Sequence, residues 1–319
     1  MRKYFILILC ILIFCSKGNI EKEYQDMNKM LDSSKNKEEK ATIIKNFLNK
    51  FPETNYTSTL SLKLLEYEKP FEFENFINGL IQRIKSKDIK EDLKFSLMEL
   101  YKKTKEKDKI KNVFNSFEKP LKYYHYSETI KSLVEIGEFE ESLKFIEEAL
   151  QFCSMETIEK ELEKLTEERK LRIYNRRNFE IEYLKGKIYY GLNDFEDSKN
   201  GFEKAKTFLK PSFVGTYIDN FNYYYSLLLN KIGKKEEAIS AIIPDVLFEK
   251  NEKNYEFFEE LYSEIYGSKE GIEDFLNKKK EELSPNYIDF SLKDYNGNLY
   301  NFSELAKDKV VLLTFWFPT

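Results

Sequence analysis

Three cysteines, Cys10, Cys15 and Cys153, and one histidine, His125, carry the sharpest chemistry available to this 319-residue chain. A thiol can attack, pair as a disulfide or bind metal, and an imidazole can move a proton or bind metal. Spacing restricts all of these. Cys10 lies inside an apolar run near the N-terminus and Cys15 closes that run, so Cys153 is the one thiol in the body of the chain and has no internal partner. The segment "LQFCSME" puts Cys153 on or just past an amphipathic helix, where it reads as a small core residue. His125, in "YYHYS", has no Cys or carboxylate at metal-ligand spacing and reads as part of a packed aromatic turn. These positions supply no catalytic residue, no metal ligand and no cofactor-binding residue, and no cofactor is expected.

The composition narrows the classes further. Hydrophobic residues make up 41% and charged residues 34%, which describes a globular chain rather than a disordered one, and the length favours two domains over one. Lys and Arg number 52 against 56 Asp and Glu, with signs alternating along the chain, so no basic face for nucleic acid is visible. The 22 Tyr and 27 Phe accompany an abundance of Lys, Asn, Ile and Glu, a bias that a genome rich in A and T produces without any role in binding.

Residues 1–15, "MRKYFILILCILIFC", have two basic residues followed by an apolar stretch too short to span a bilayer as a helix, which needs about 20 residues. This is the pattern of an export signal. Cys15 after Leu12, Ile13 and Phe14 resembles the lipobox of bacterial lipoproteins, although Phe14 stands where that pattern has Gly, Ala or Ser. The resemblance implies lipidation of Cys15 and a protein tethered to a membrane outside the cytoplasm.

The elements that would position any site are helical from 20 to 283. "ATIIKNFLNKFP" reads as a helix stopped at Pro52, with another starting behind Thr54 or Thr57. Three segments share a register: "EIGEFEESLKFIEEAL", "GLNDFEDSKNGFEKAK" and "NKIGKKEEAISAII". Gly137, Asn193 and Gly233 precede by five residues the small Ser142, Ser198 and Ala238, which precede by four the large Ile146, Phe202 and Ile242. Gly or Asn can take the left-handed conformation that ends a helix, the small residue permits close packing, and the large one fills the groove a turn later. Leu133, Tyr189 and Leu229, nine residues before each small residue, should face it from the first helix of the pair. With Gly186, Tyr189, Ser198, Phe202 and Ala205 in the middle copy, the region resembles a degenerate tetratricopeptide array, its copies 56 and 40 residues apart where the family repeat is about 34. "METIEKELEKLTEERKLRIY" is expected as a charged helix in the longer gap, and Lys235 and Asp245 break the third copy. Such an array is expected to bind a peptide or protein ligand or to act as a spacer. The run Phe221 to Leu229 is the first place to look for exposed aromatics on it, though at helical spacing aromatics are more often core.

Pro285 marks a change to strand and turn chemistry over 284–319: "YIDFSL", a turn at Asn296-Gly297, "LYNF", a helix start at Ser303, and a doubly buried strand in "VVLLTFWFPT". Pro285, Phe290, Leu292, Gly297, Ser303, Leu305, Lys309 to Leu313, Phe315 and Trp316 resemble the opening of TlpA- and ResA-like thioredoxin-fold proteins and, more broadly, of the redoxin and AhpC/TSA superfamily. The resemblance covers 36 of 319 residues. It implies an exported thiol-disulfide oxidoreductase acting on extracytoplasmic protein thiols or disulfides, with its Cys-x-x-Cys, or a selenocysteine variant of it, expected just beyond Thr319. The expected fold is thus mostly α, a tetratricopeptide-like array followed by the truncated start of an α/β thioredoxin-like domain. Two alternatives stand beside the oxidoreductase: a peroxiredoxin-like thiol peroxidase, and a non-enzymatic helical-repeat lipoprotein that binds protein.

Overall fold

The computed structural model describes residues 20–209, 220–248, 251–283, 291–294 and 296–307. Cys15, the expected boundary at 284 and the strand over 310–319 lie outside them. The described chain is mostly α and divides into two compact units between Ile232 and Gly233.

The first unit is a succession of helices joined by short turns. These are α1 (20–33), α2 (Lys37–Lys50), α3 (Thr57–Leu64), α4 (Pro70–Arg83), α5 (Lys87–Lys103), α6 (Lys107–Ser116) and α7 (Tyr123–Glu135). They continue as α8 (Phe139–Ala149), a 3₁₀ turn (Leu150–Phe152), α9 (Met155–Glu161), α10 (Glu167–Gly191), α11 (Phe195–Phe208) and α12 (Phe221–Lys231). Side-chain oxygens start several of them: Asn36, Ser86, Ser154, Thr166 and Asp194 each accept an N–H from the first turn. The start of α3 differs from the capping expected, because Thr57 is its first helical residue and turns its hydroxyl back to the Pro52 carbonyl, 3.0 Å away.

Three helix ends in this unit are built alike. Lys105, Gly137 and Asn193 take positive φ angles of 57°, 86° and 60°. In each case the next residue returns its N–H across the helix end: Glu106 to the Tyr101 carbonyl, Glu138 to Leu133 and Asp194 to Tyr189, at 2.8, 2.9 and 2.9 Å. This six-to-one hydrogen bond satisfies a carbonyl that the helix leaves open. Gly137 and Asn193 therefore do what their spacing predicted. Lys105 is a further copy that the expected register did not include. It precedes Gly137 by 32 positions, close to a regular repeat, with Ile110 and Phe114 buried where the small and large residues should fall.

Packing follows the register with one displacement. Ser142, Ile146, Leu133, Ser198 and Phe202 are all buried, but Tyr189 is only half-buried and its neighbour Ile188 takes the enclosed position. Between α10 and α11 the backbones come close. Ser198 Oγ donates to the Gly186 carbonyl at 2.8 Å, and a side chain on Gly186 would strike the Phe202 ring. Phe202, Phe221, Tyr183 and Tyr225 form an aromatic core between α10, α11 and α12, with ring centroids 5.7 to 6.0 Å apart. The charged segment expected as one helix is two: Thr166 caps α10 after α9 has ended, so the chain turns between them.

The second unit contains α13 (Lys235–Phe248), α14 (Glu252–Tyr266), α15 (Ile272–Leu283), β1 (Ser291–Lys293), β2 (Leu299–Asn301) and α16 (Phe302–Ala306). Gly233 has φ 81°, and Ala238 and Ile242 are buried, as the third copy of the register requires. Phe258, Leu261 and Tyr262 of α14 are buried, and Phe275 of α15 lies edge-on to Tyr262 at 5.3 Å. β1 and β2 pair antiparallel with Leu292 opposite Tyr300. Gly297 turns the hairpin at φ 84°, and Asp294 Oδ1 accepts the Asn296 and Asn298 N–H groups at 2.8 and 2.9 Å. The strand, turn, strand and helix order expected here is present, with the helix starting at Phe302. These are the two strands among the described residues.

Candidate binding groove

Of the residues singled out for their chemistry, Cys153 is closed to solvent. Its Sγ points at the Ala149 carbonyl 3.7 Å away, and burial pushes its thiol up to about 12, far from the range of a reactive thiolate. His125 is also buried, between the rings of Phe95, Phe117 and Tyr124, as the packed aromatic turn anticipated. No group of three or more metal-ligating side chains occurs among the described residues, and no described helix is long and apolar enough to cross a membrane.

A different set of residues comes together where α7 crosses α10. Glu180, midway along α10, accepts hydrogen bonds from Tyr123 Oη at 2.7 Å and Ser127 Oγ at 2.9 Å and pairs with the Lys131 ammonium, all three on α7. Lys131 also reaches Glu128 at 3.0 Å. Burial pushes the Glu180 carboxyl up, but the charge of Lys131 and the three donors outweigh it and hold the group below the ordinary carboxylate range. On Lys131 the balance is the same in reverse, burial being outweighed by Glu180 and Glu128, so its ammonium is held above its usual value. Beside this cluster the Arg177 guanidinium stacks 4.9 Å over the Tyr123 ring, donates to the Phe152 carbonyl at 2.8 Å and pairs with Glu161 at 2.9 Å. That side chain pins the 3₁₀ turn and α9 against α10.

Two cavities flank the cluster. One, of roughly 830 Å³, runs under the turn before α7 and along α9, between Leu121, Phe152, Leu162 and Ile173. The other, of roughly 290 Å³, continues over Phe179 and Tyr183 to Lys187 and Tyr224. Lys131, Arg176 and Glu180 line both, so the two cavities adjoin at the ion-paired cluster and together make up a furrow with that cluster between its halves. At its far end the Lys187 ammonium lies 4.2 Å over the Tyr224 ring. The Tyr-rich run is accordingly split in role: Phe221, Tyr223, Tyr225, Leu228 and Leu229 are core, while Tyr224 lines the furrow.

The furrow's residues were not singled out from the sequence. The one signal available was Arg176, Glu180, Tyr183 and Lys187 at three- and four-residue spacing along α10, which places a carboxylate on a face shared with buried Phe179 and Leu184.

No known family profile and no curated protein matches this chain. Among solved structures it is similar to a tetratricopeptide repeat protein from Parabacteroides merdae, at 13% identity and a TM-score of 0.45, over 84% of this chain and 94% of that one. The helix-pair architecture rests on the repeated left-handed turns and the α10–α11 packing.

Proposed function

We propose that this chain is a helical-repeat protein that binds a peptide segment of another protein, with the furrow over α7 and α10 as its working surface. The observation that carries this reading is that two adjoining cavities share Lys131, Arg176 and Glu180 as lining. A mostly apolar concavity with a few fixed polar groups is what a ligand site requires. The cluster at the waist is already neutralised from within, so the furrow's walls hold their shape before a ligand arrives and less ordering is needed on binding. The test is selection of phage-displayed peptides on the intact chain and on Ile173→Arg, which puts a long cation into the larger cavity without touching the cluster. Peptides that bind the parent and are lost on Ile173→Arg support the reading. Failure to enrich any peptide, or equal binding to both chains, overturns it.

A second reading concerns the C-terminal segment. The hairpin of β1 and β2, the Gly297 turn and the helix that follows keep the order expected of the opening of an exported thioredoxin-like oxidoreductase. On this reading the protein is tethered through lipid on Cys15 and acts on protein thiols or disulfides, which requires a redox-active Cys-x-x-Cys or its selenocysteine equivalent in the full product. Metabolic labelling with a fatty acid, lost in Cys15→Ser, tests the tether. A transcript with no Cys-x-x-Cys or selenocysteine equivalent in frame after Thr319 overturns the redox reading.

A further inference from the structure

The turn over 117–122 joins α6 to α7, and its Pro120, Leu121 and Lys122 form one wall of the larger cavity. Two reciprocal hydrogen bonds tie it to the first turn of α7. The Lys122 N–H donates to His125 Nδ1 at 2.9 Å, and the His125 N–H donates to the Lys122 carbonyl at 3.0 Å. An imidazole nitrogen accepts only while it carries no proton, so the proton of the neutral ring resides on Nε2. That atom is buried, makes no hydrogen bond and lies 3.5 Å from Glu91 Oε2.

Three elements supply the charged and aromatic groups that face the ring. α5 presents Glu91, Lys94 and Phe95; the turn presents Phe117 and Lys122; α7 itself presents Tyr124. Glu91 is partly engaged, because the Tyr124 hydroxyl donates to it, and the Lys94 ammonium donates to the Ser116 carbonyl at 2.5 Å. The ring thus has one carboxylate within ion-pair reach to welcome a second proton, and burial and two ammonium groups to oppose it.

We propose that His125 is an acid-released latch on the wall of the furrow: with Nδ1 bare it fastens the 117–122 turn to α7, and with Nδ1 protonated it confronts the Lys122 N–H donor to donor and lets the turn go. The only chemical change is uptake of one proton from solvent. The direction of the switch follows from the site. Burial disfavours the charged ring most, Glu91 favours it, and Lys122 and Lys94 disfavour it, which leaves its pKa below the 6.5 of a free imidazole. The folded chain then binds fewer protons than the unfolded one between these two values. The latch is fully fastened above about pH 6.5 and loosens as the pH falls through the lower, folded value. As regulation of ligand binding it rests on the reading of the furrow above; as a movement of the turn it does not.

The test needs no ligand. His125 is the single histidine of the chain, so its ring resonances are identified without further variants. They are followed by NMR from pH 7.5 to 5.0 together with the Lys122 amide and its hydrogen exchange, corrected for the intrinsic effect of pH. The expected result is one midpoint below 6.5 shared by ring and amide, with protection of the Lys122 amide falling about tenfold or more across it while Ile44 in α2 is unaffected. In His125→Gln the side-chain oxygen can accept the same N–H and cannot titrate, so the step should vanish with the amide still protected. A ring midpoint at or above 6.5, a Lys122 amide indifferent to the ring's titration, or a step that survives in His125→Gln overturns the proposal. Should that variant not fold, the co-titration in the parent chain decides alone. Peptide binding measured at pH 7.5 separately tests the furrow, so a working latch on a furrow that binds nothing is recognisable as such.

Discussion

Gly201 of α11 lies so close to Gly186 of α10 that a Cβ on it would sit 2.7 Å from the Gly186 amide nitrogen and 3.0 Å from the Glu182 carbonyl oxygen. Both obstacles are backbone, so relief would require the helices to part. Gly201→Ala should gain about 1 kcal/mol of helix propensity and lose more to overpacking, for a net destabilisation of about 1–2 kcal/mol. Gly79, inside α4, has nothing within 4 Å of the same added atom, and Gly79→Ala should stabilise by up to about 1 kcal/mol. Thermal denaturation of both variants checks the pair. A Gly201→Ala chain at least as stable as its parent would show that the α10–α11 contact is looser than described.

Lys105 holds the left-handed position that glycine or asparagine holds at the three later copies, Gly137, Asn193 and Gly233. Its exposed side chain makes no use of that conformation, which disfavours a Cβ by roughly 1–2 kcal/mol. Lys105→Gly should therefore raise stability, by about 0.5–1 kcal/mol after the added freedom of the unfolded chain is counted. Chemical denaturation reads this directly, and a loss on substitution would mean that the lysine has a contact worth more than the strain.

Asn254, at the start of α14, is buried with neither its amide oxygen nor its amide nitrogen hydrogen-bonded. An unsatisfied buried amide costs about 1–3 kcal/mol, and leucine has nearly the same shape. The expectation for Asn254→Leu is a gain of about 1 kcal/mol or more, seen as a higher unfolding midpoint. Destabilisation by this substitution would reveal a hidden partner for the amide.

Removing the charge at the waist should have a pH signature. Glu180→Gln keeps the shape and weakens three hydrogen bonds, for a loss of about 1–3 kcal/mol at pH 7. The folded carboxyl is held below its ordinary 4.5, so its contribution is complete above that value and disappears as the pH falls through the folded one. Parent and variant should differ most at pH 7 and draw together as the pH falls below 4.5. A constant difference from pH 7 to 3 would mean that the charge contributes nothing and only the packing counts.

The helix ends were legible because their cause is local. Gly137, Asn193 and Gly233 announce a left-handed residue whatever surrounds them. The copy at Lys105 has the same hydrogen bonds but a residue that gives no such signal, so its position depends on the packing of Tyr101, Ile110 and Phe114. The exchange of Tyr189 for Ile188 has a similar origin. Adjacent positions on a helix differ by about 100°, and which one faces the neighbour is set by where Phe202 lands. Least legible was the furrow, whose Tyr123, Ser127 and Lys131 meet Glu180 from some fifty residues away. Nothing in the spacing along α10 names the helix that will lie across it.

α10 touches α7, α8, α9, α11 and α12, and at 25 residues it is about 37 Å long. A continuous helix of that length bends little, so it behaves as a lever. Rotating it by about 5° about one end carries the other through roughly 3 Å, the width of a water molecule. Arg177 ties the stretch just before its midpoint to the 3₁₀ turn and α9, and Gly186 and Gly191 lie towards its C-terminal end, against α11 and the Phe139 ring. A ligand wedged beside Ile173 would thus be felt at the aromatic core around Phe202 as a displacement rather than as a chain of contacts, and the array can move as levered segments without any helix unwinding.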